Sequence, residues 1–433
     1  MVKITGKTII PKTLWDKVTK RVKHILEYKK IIEQNFKSDI SDLVNVVLVG
    51  AIHLGASDIH FEPREEDVRL RIRIDGMLQD VLNLPKEIYK FILSRIKLLA
   101  GLKLNIHDRP QDGSFSVVLP TGLEIEIRTS DLPADYGETI VMRILNPESL
   151  RSIEELGLRE DLLELFKKEI QKPNGMIIVT GPTGSGKTTT LYAFLLYLKK
   201  PEIKIITIED PIEYRLEGIA QTEVHPEKGY DFANGLRAIV RQDPDVILVG
   251  EIRDKETAEI ALQAALTGHL VFSTLHTNDA AGTIPRLVAL GAKPVNIAPA
   301  INMAIAQRLV RKVCKKCARW ESPTEEELKK LKEGLKGLPP HIKIPEITPN
   351  LQIPRPQGCE ECNFTGYKGR IGIFEAFVVD DEMEDLILKN PSIPEVKKLA
   401  KKKGMVPMYQ DGLIKVLQGI TTIEEVERVA TRE

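Results

Sequence analysis

Gly181-Pro182-Thr183-Gly184-Ser185-Gly186-Lys187-Thr188 is the stretch on which the reading of this 433-residue chain turns. It follows the apolar run Met176-Ile177-Ile178-Val179-Thr180 and opens into residues 189–198, whose composition is helical. A buried strand therefore passes through a glycine-rich loop into a helix N-terminus. Glycines at 181, 184 and 186 let the backbone wrap an anion with its N–H groups turned inward, and the helix end adds favourable partial charge. Lys187 then reaches the β- and γ-phosphates of a nucleoside triphosphate, and Thr188 places a hydroxyl where Mg²⁺ bridges them. Thr183, Ser185 and Thr189 complete the expected contacts. Binding of ATP or GTP is the anchor for the rest of the chain.

Downstream, strand-like runs at 203–208, 246–249 and 270–275 alternate with helical segments at 232–241 and 255–267. This alternation predicts a mostly parallel sheet with its ligand at the carboxyl ends of the strands. Glu209, Asp210 and Glu213 follow the first of these strands, and Glu251 follows the second, as carboxylates aimed at the nucleotide. Hydrolysis needs one carboxylate near Mg²⁺ and another group that orients or deprotonates the attacking water. Gly250 stands where an Mg²⁺-associated Asp is usual, so Glu251 is assigned to the metal and its waters and Glu213 to the general base, with the reverse as the alternative. His276 ends the 270–275 strand on the nucleotide side and is a candidate sensor of phosphate or water. His269 stands at the far end of that strand, where a structural role is the plainer reading.

Composition bounds the remainder. Lys plus Arg and Asp plus Glu each number 62, so the net charge is zero, which argues against a basic nucleic-acid footprint. No apolar run approaches the roughly 18 residues of a membrane span, and the first residues carry no signal-peptide core, so a cytoplasmic protein is expected. Residues 1–37 hold ten Lys/Arg against Asp16, Glu27 and Glu33, with Leu14, Val18, Val22, Ile25 and Leu26 at helical spacing. We read an amphipathic helix that packs on the next domain; an acidic partner or membrane surface is the alternative. Leu70, Ile72 and Ile74 alternate with arginines up to the Asp75-Gly76 turn, Leu123, Ile125 and Ile127 repeat that period, and 88–99 has helical spacing. These predict a small α+β domain. Arg128 and Arg143 lie on its strand-like segments, as phosphate clamps or as parts of a solvated strand face.

Cys314-Lys315-Lys316-Cys317 and Cys359-Glu360-Glu361-Cys362 form two C-x-x-C knuckles whose four thiolates suit a closed tetrahedral Zn²⁺ site. Six prolines between 339 and 356 mark the intervening stretch as a loop. The reading divides the chain into a basic segment (1–40), the small α+β domain (41–145), a linker and helix (146–174), the α/β nucleotide core (175–310), a zinc subdomain (311–370) and a helical C-terminal part (371–433).

Together, Gly181 to Thr188, Ile206 to Glu213, Leu236-Arg237 through Asp245, Gly250-Glu251-Ile252-Arg253-Asp254 and Thr267-Gly268-His269 through His276 resemble the blocks of the secretion ATPases. These are the motors of type II secretion and type IV pilus assembly. The blocks stand in family order from about Ser41 to the C-terminus. The resemblance implies a homo-hexameric ATPase using ATP, Mg²⁺ and Zn²⁺, with a RecA-like domain preceded by a smaller, PAS-like α+β domain. It implies an acidic box at Glu209 to Glu213, a Walker B glutamate at Glu251 and a histidine box holding His269 and His276. Arg128 and Arg143 match arginines that approach the phosphates on domain closure, and Arg237 and Arg241 match arginines near the catalytic and subunit interface, Arg241 with the nucleotide-binding set. Assembly-type members often bear the tetracysteine motif, whereas retraction motors lack it. Partners implied are inner-membrane secretion or pilus platform proteins at the cytoplasmic face, with no direct nucleic acid. Members usually carry a further N-terminal docking domain; here only the short basic segment precedes the shared region. A pilus retraction or DNA-transfer motor, and a nucleic-acid-binding zinc protein, are the alternative functions.

Overall fold

Alternating apolar and charged residues send successive side chains to opposite faces of a strand. The structure, a computed structural model that describes residues 6–431, accordingly buries Val68, Leu70, Ile72 and Ile74 and leaves Arg69, Arg71 and Arg73 half-exposed. The chain forms two compact units: residues up to 148 with 314–317 and 357–368, and residues 149–313, 318–356 and 369–433. The expected 311–370 subdomain is thus shared, since both C-x-x-C segments join the first unit and the stretch between them joins the second.

The first unit runs β1 (Lys7–Ile9), α1 (Lys12–Arg21), α2 (Ile25–Gln34), α3 (Ile40–His53), β2 (Asp58–Pro63), β3 (Val68–Ile74), β4 (Met77–Leu84), α4 (Lys86–Ala100), β5 (Gln111–Val118), β6 (Glu124–Ala134) and β7 (Gly137–Leu145). The strands stand in the order β1-β5-β6-β7-β2-β3-β4, antiparallel except where β1 lies beside β5. Val18, Tyr28, Val47, Ile92 and Ile96 of the helices share one core with Leu70, Ile72, Ile125 and Ile127 of the sheet. The stripe from Leu14 to Leu26 makes two helices rather than one; Val18, Val22 and Ile25 are buried in that core, while Leu26 is exposed. Residues 1–5 of the basic segment lie outside the described residues.

The second unit continues with α5 (Glu160–Ile170), β8 (Gly175–Thr180), α6 (Lys187–Leu198), β9 (Ile205–Glu209), β10 (Ala220–Glu223), α7 (Phe232–Val240), β11 (Val246–Val249), α8 (Lys255–Leu266), β12 (Leu270–Leu275), α9 (Thr283–Ala289), α10 (Pro294–Ile297) and β13 (Ile301–Val313). After the small pair β14 (Arg319–Glu321) and β15 (Ile353–Arg355), which flank α11 (Glu325–Gly334), come β16 (Tyr367–Val378), α12 (Asp381–Leu388), α13 (Ile393–Lys402), α14 (Met408–Leu417) and α15 (Ile423–Val429). The main sheet has the order β10-β9-β11-β12-β8-β13-β16, with every neighbour from β10 to β13 parallel.

Strands β13 and β16 extend the sheet beyond what the sequence pattern suggests, and the tail from Phe374 begins as strand, not helix. Ile373 and Phe377 enter the core on one face, and Phe374 and Ala376 enter the core on the other. Burial on both faces removes the alternation, and Gln307, Arg308 and Glu375 also break the continuous apolar run that marks β8, β11 and β12. The tail helices are fixed by Asp411, which is fully buried and accepts from Arg159 Nη1 (2.6 Å), Lys415 Nζ (2.7 Å) and the Phe374 amide (2.8 Å). Burial alone would raise this carboxyl, but the Lys415 and Arg159 charges hold it below its ordinary range.

Candidate nucleotide site and tetracysteine centre

The carboxyl end of β8 delivers the chain into the loop at 181–186, and α6 opens at Lys187. Gly181 has φ of 149°, and a Cβ there would lie 2.6 Å from Ser185 Oγ and 2.7 Å from the Gln307 carbonyl, so only glycine fits. Gln307 on β13 supports the loop from beneath, its side-chain amide donating to Ser185 O at 2.8 Å. Lys187 Nζ donates to the carbonyls of Gly181 (2.8 Å) and Pro182 (3.2 Å) at the loop's mouth. Burial lowers its pKa, the Glu251 and Glu213 carboxylates act to raise it, and Arg308 acts with burial.

Glu251, just past β11, lies 2.6 Å from Arg253 Nη2 and 3.5 Å from His276 Nε2. His276 follows β12, whose exit is tied to that of β8 by Thr277 N donating to Thr180 Oγ1 at 2.8 Å. The glycine preceding Glu251 has a packing reason: a Cβ on Gly250 would press within 3.3 Å of Glu209 Cα and the Ile208 carbonyl. A side chain there would need this backbone to give by a few tenths of an ångström. Thr188, Glu251 and Glu213 offer hydroxyl and carboxylate oxygens, the hard donors that suit Mg²⁺.

The structure turns Glu209 inward rather than toward the loop. It ends β9, is 4% exposed, and accepts from Tyr192 Oη (2.5 Å), Thr207 Oγ1 (2.6 Å) and Gln221 Nε2 (3.3 Å). Burial raises its pKa against those donors. Two other expected residues are not brought to the loop. His269 precedes β12 at the opposite end of the sheet, its Nδ1 3.0 Å from the Ala264 carbonyl. Arg241 caps the C-terminus of α7, four residues before Asp245, whose amide meets the Lys204 carbonyl at that same amino edge. Arg237, a turn earlier on α7, pairs instead with Glu256 in the first turn of α8, the helix that follows β11.

Arg308 and Arg253 were not singled out from sequence. Arg308 donates to the carbonyls of Gln307 (2.9 Å) and Asn278 (2.8 Å), with Nη1 beside Gly181. The signal was the polar Gln307-Arg308 pair just after Ala306, which pairs with Thr180. It lay in a strand that went unread.

Arg128 and Arg143 belong to the first unit, directly opposite each other on β6 and β7. Asp58 pairs in register with Arg143 on one side and Arg73 on the other, 3.3 and 3.2 Å from their Nε atoms. Arg128 Nε meets Glu126 at 3.3 Å. An arginine row thus crosses β3, β7 and β6 with carboxylates set into it.

Also in the first unit, the sulfurs of Cys314, Cys317, Cys359 and Cys362 all lie within 4.8 Å of one another, with Cys314–Cys359 at 3.9 Å and Cys317–Cys362 and Cys359–Cys362 at 3.8 Å. A tetrahedral Zn²⁺ with Zn–S bonds of about 2.3 Å has sulfur–sulfur edges of about 3.8 Å. Amides of Gly358, Cys359 and Gly366 donate to these sulfurs at 3.2–3.3 Å, which favours the thiolate form. The donor set therefore fits zinc. Beside it, Asn363 accepts from the Ile25 amide at 2.8 Å and so caps α2 from 338 residues away, while the rings of Phe364 and His24 meet edge to face at 5.4 Å.

A parallel sheet with a glycine-rich loop after β8 and the carboxylate Glu251 after β11, two strands away, defines a phosphate-loop nucleotide-binding class. The profile of the family described as Type II/IV secretion system protein matches residues 33–428, and the chain belongs to that family. It is 46% identical to the type IV pilus assembly ATPase PilB of Thermus thermophilus over 391 residues, covering 90% of this chain and 43% of that one. It is equally 46% identical to type II secretion system protein E of Xanthomonas campestris over 390 residues, covering 89% of this chain and 66% of that one. The chain thus spans two thirds or less of these relatives. Among solved structures, the pilus retraction motor PilT with bound ADP matches with TM-score 0.59 at 29% identity, over 89% of this chain and 96% of that one. No helix among the described residues is long and apolar enough to cross a membrane.

Proposed function

We propose that this chain is a hexameric ATPase that drives assembly of a pilus or pseudopilus. The observation that carries the reading is the strand–loop–helix at β8 and α6, where Lys187 Nζ stands on the carbonyls of Gly181 and Pro182 at the mouth of the glycine-rich loop. In this reading the loop amides from Gly184 to Thr189 and the Lys187 ammonium bind the phosphates of ATP, with Thr183 and Ser185 in the loop wall. Thr188 and Glu251 hold Mg²⁺, which neutralises charge on the phosphates. Glu213 accepts the proton of the attacking water, and His276 reports the state of the phosphate through Glu251. Arg128 and Arg143 reach the phosphates when the two units close. Arg241 and His269, on the other edge of the sheet, and Arg237, paired with Glu256 in the first turn of α8, serve the contact between copies, where Arg241 meets a neighbour's nucleotide. The tetracysteine centre holds a structural Zn²⁺ without open position.

The assembly direction is favoured over retraction by the four-cysteine set and by the names of the relatives. Partners are then platform proteins at the cytoplasmic face of the inner membrane, with no direct nucleic acid. The test is phosphate release from Mg-ATP by the full chain. Lys187→Ala should abolish it, since no other lysine stands in the loop. Wild-type turnover in that variant would remove the reading.

A further inference from the structure

Glu213 stands on a loop, 210–216, that leaves β9 and returns toward β10, and a general base on a loop acts only if something holds it. The loop's own attachments converge on one half-buried side chain. Gln221 on β10 accepts the Leu216 amide on its Oε1 (2.7 Å) and donates through Nε2 to the Tyr214 carbonyl (3.0 Å) and to Glu209 (3.3 Å). Glu209 in turn accepts the phenol of Tyr192 at 2.5 Å, and Tyr192 lies fully buried on α6, the helix that opens at Lys187. The rings of Tyr192 and Tyr214 also meet edge to face, with centroids 6.3 Å apart. A second carboxylate joins from β10, where Glu223 accepts the Ile212 amide at 3.3 Å.

We infer that Glu209 is a positioning residue: through Tyr192 on one side and Gln221 on the other, it fixes the loop bearing Glu213 to the helix that carries the phosphate loop. Every donor around Glu209 points at a carboxylate oxygen, so a neutral amide in its place either sets an N–H against the Gln221 amide or reverses the Tyr192 bond, with the charge that strengthened both bonds gone. The hydrogen-bonded tie runs in series from α6 through Glu209 and Gln221 to the loop, beside the Tyr192–Tyr214 ring contact and the Glu223 bond. The inference rests on the hydrolytic reading for its effect on rate, but the tie itself is a property of the loop.

The experiment uses the full chain with Glu209→Gln, Tyr192→Phe, Gln221→Leu and the double variant Tyr192→Phe/Gln221→Leu. Three quantities are measured: phosphate release at saturating Mg-ATP, affinity for a fluorescent ADP analogue, and amide hydrogen exchange across 210–216. Each single variant should lower kcat by about 10–100-fold, the cost of a base displaced by around 1 Å. Nucleotide affinity should stay within about twofold, and the Leu216 amide should exchange at least about 10-fold faster. The double variant should fall no further than its worse single parent. Wild-type kcat and exchange in Glu209→Gln would overturn the inference, as would an equal loss of affinity and rate, which marks general damage. Tyr192→Phe changes only a hydroxyl and decides the matter if Glu209→Gln fails to fold. Absence of phosphate release from the wild type would remove the hydrolytic reading alone, and the Leu216 exchange would then judge the tie.

Discussion

Glu213 and Glu251 are both carboxylates beside one phosphate loop, yet their surroundings separate their chemistry. Glu251 is engaged by Arg253 at 2.6 Å and His276 at 3.5 Å, an environment that holds an anion in place, whereas Glu213 sits on the loop. Glu213→Gln should therefore keep nucleotide bound and cut turnover by about 100-fold or more, as expected for loss of a general base. Glu251→Gln should in addition raise the Mg²⁺ concentration needed for half-maximal rate. Normal turnover in Glu213→Gln with a dead Glu251→Gln would reverse the two roles. At this scale the sequence was legible wherever a residue type is demanded by backbone geometry or charge: Gly181, Lys187, Glu251 and the four cysteines could be named by spacing alone. It was illegible for Glu209, Gln307 and Arg308. Whether a carboxylate at a strand end faces outward or inward depends on a tyrosine 17 residues away, and no local pattern records that.

Strands β8, β11 and β12 were readable because each is a short, unbroken apolar run between helical segments, and β13 and β16 were not, because Gln307, Arg308 and Glu375 break theirs. The knuckles show the same limit in another form. Their four sulfurs could be listed from sequence, but not that the centre belongs with the first unit, because its neighbours Ile25 and His24 lie at the other end of the chain. If zinc fills the cluster, metal analysis should find one ion per chain. Chelation, or Cys314→Ser with Cys317→Ser, should lower the melting temperature by at least about 5 °C while leaving nucleotide affinity in place. Protein purified without zinc but with an unchanged melting curve would end that assignment.

The two units make different demands on the whole molecule. If closure carries Arg128 and Arg143 to the phosphates, Arg128→Ala and Arg143→Ala should each depress kcat, by up to about 10³-fold, with a smaller change in nucleotide affinity. Unchanged kcat in both would leave the arginine row as a solvated strand face, already supplied with Asp58 and Glu126. Acid should act on the second unit through Glu425, which joins β13 to α15 by accepting from Arg311 (2.6 Å) and Arg428 (2.8 Å). Burial alone would raise this carboxyl, but the Arg428 and Arg311 guanidiniums bring it from 4.5 down to about 2. The folded value lies below the unfolded one, so the contribution is complete above about pH 4.5 and is lost as the pH falls toward 2. In circular dichroism, Glu425→Gln should flatten the wild-type loss of stability across that window; parallel profiles would count against it. The cap that Asn363 places on α2 has a consequence in time as well as space. A ribosome issues residues 25–34 long before residue 363, so the nascent chain lacks this cap while about three quarters of the second unit is still being made. The last step in completing the beginning of this protein therefore waits on its end.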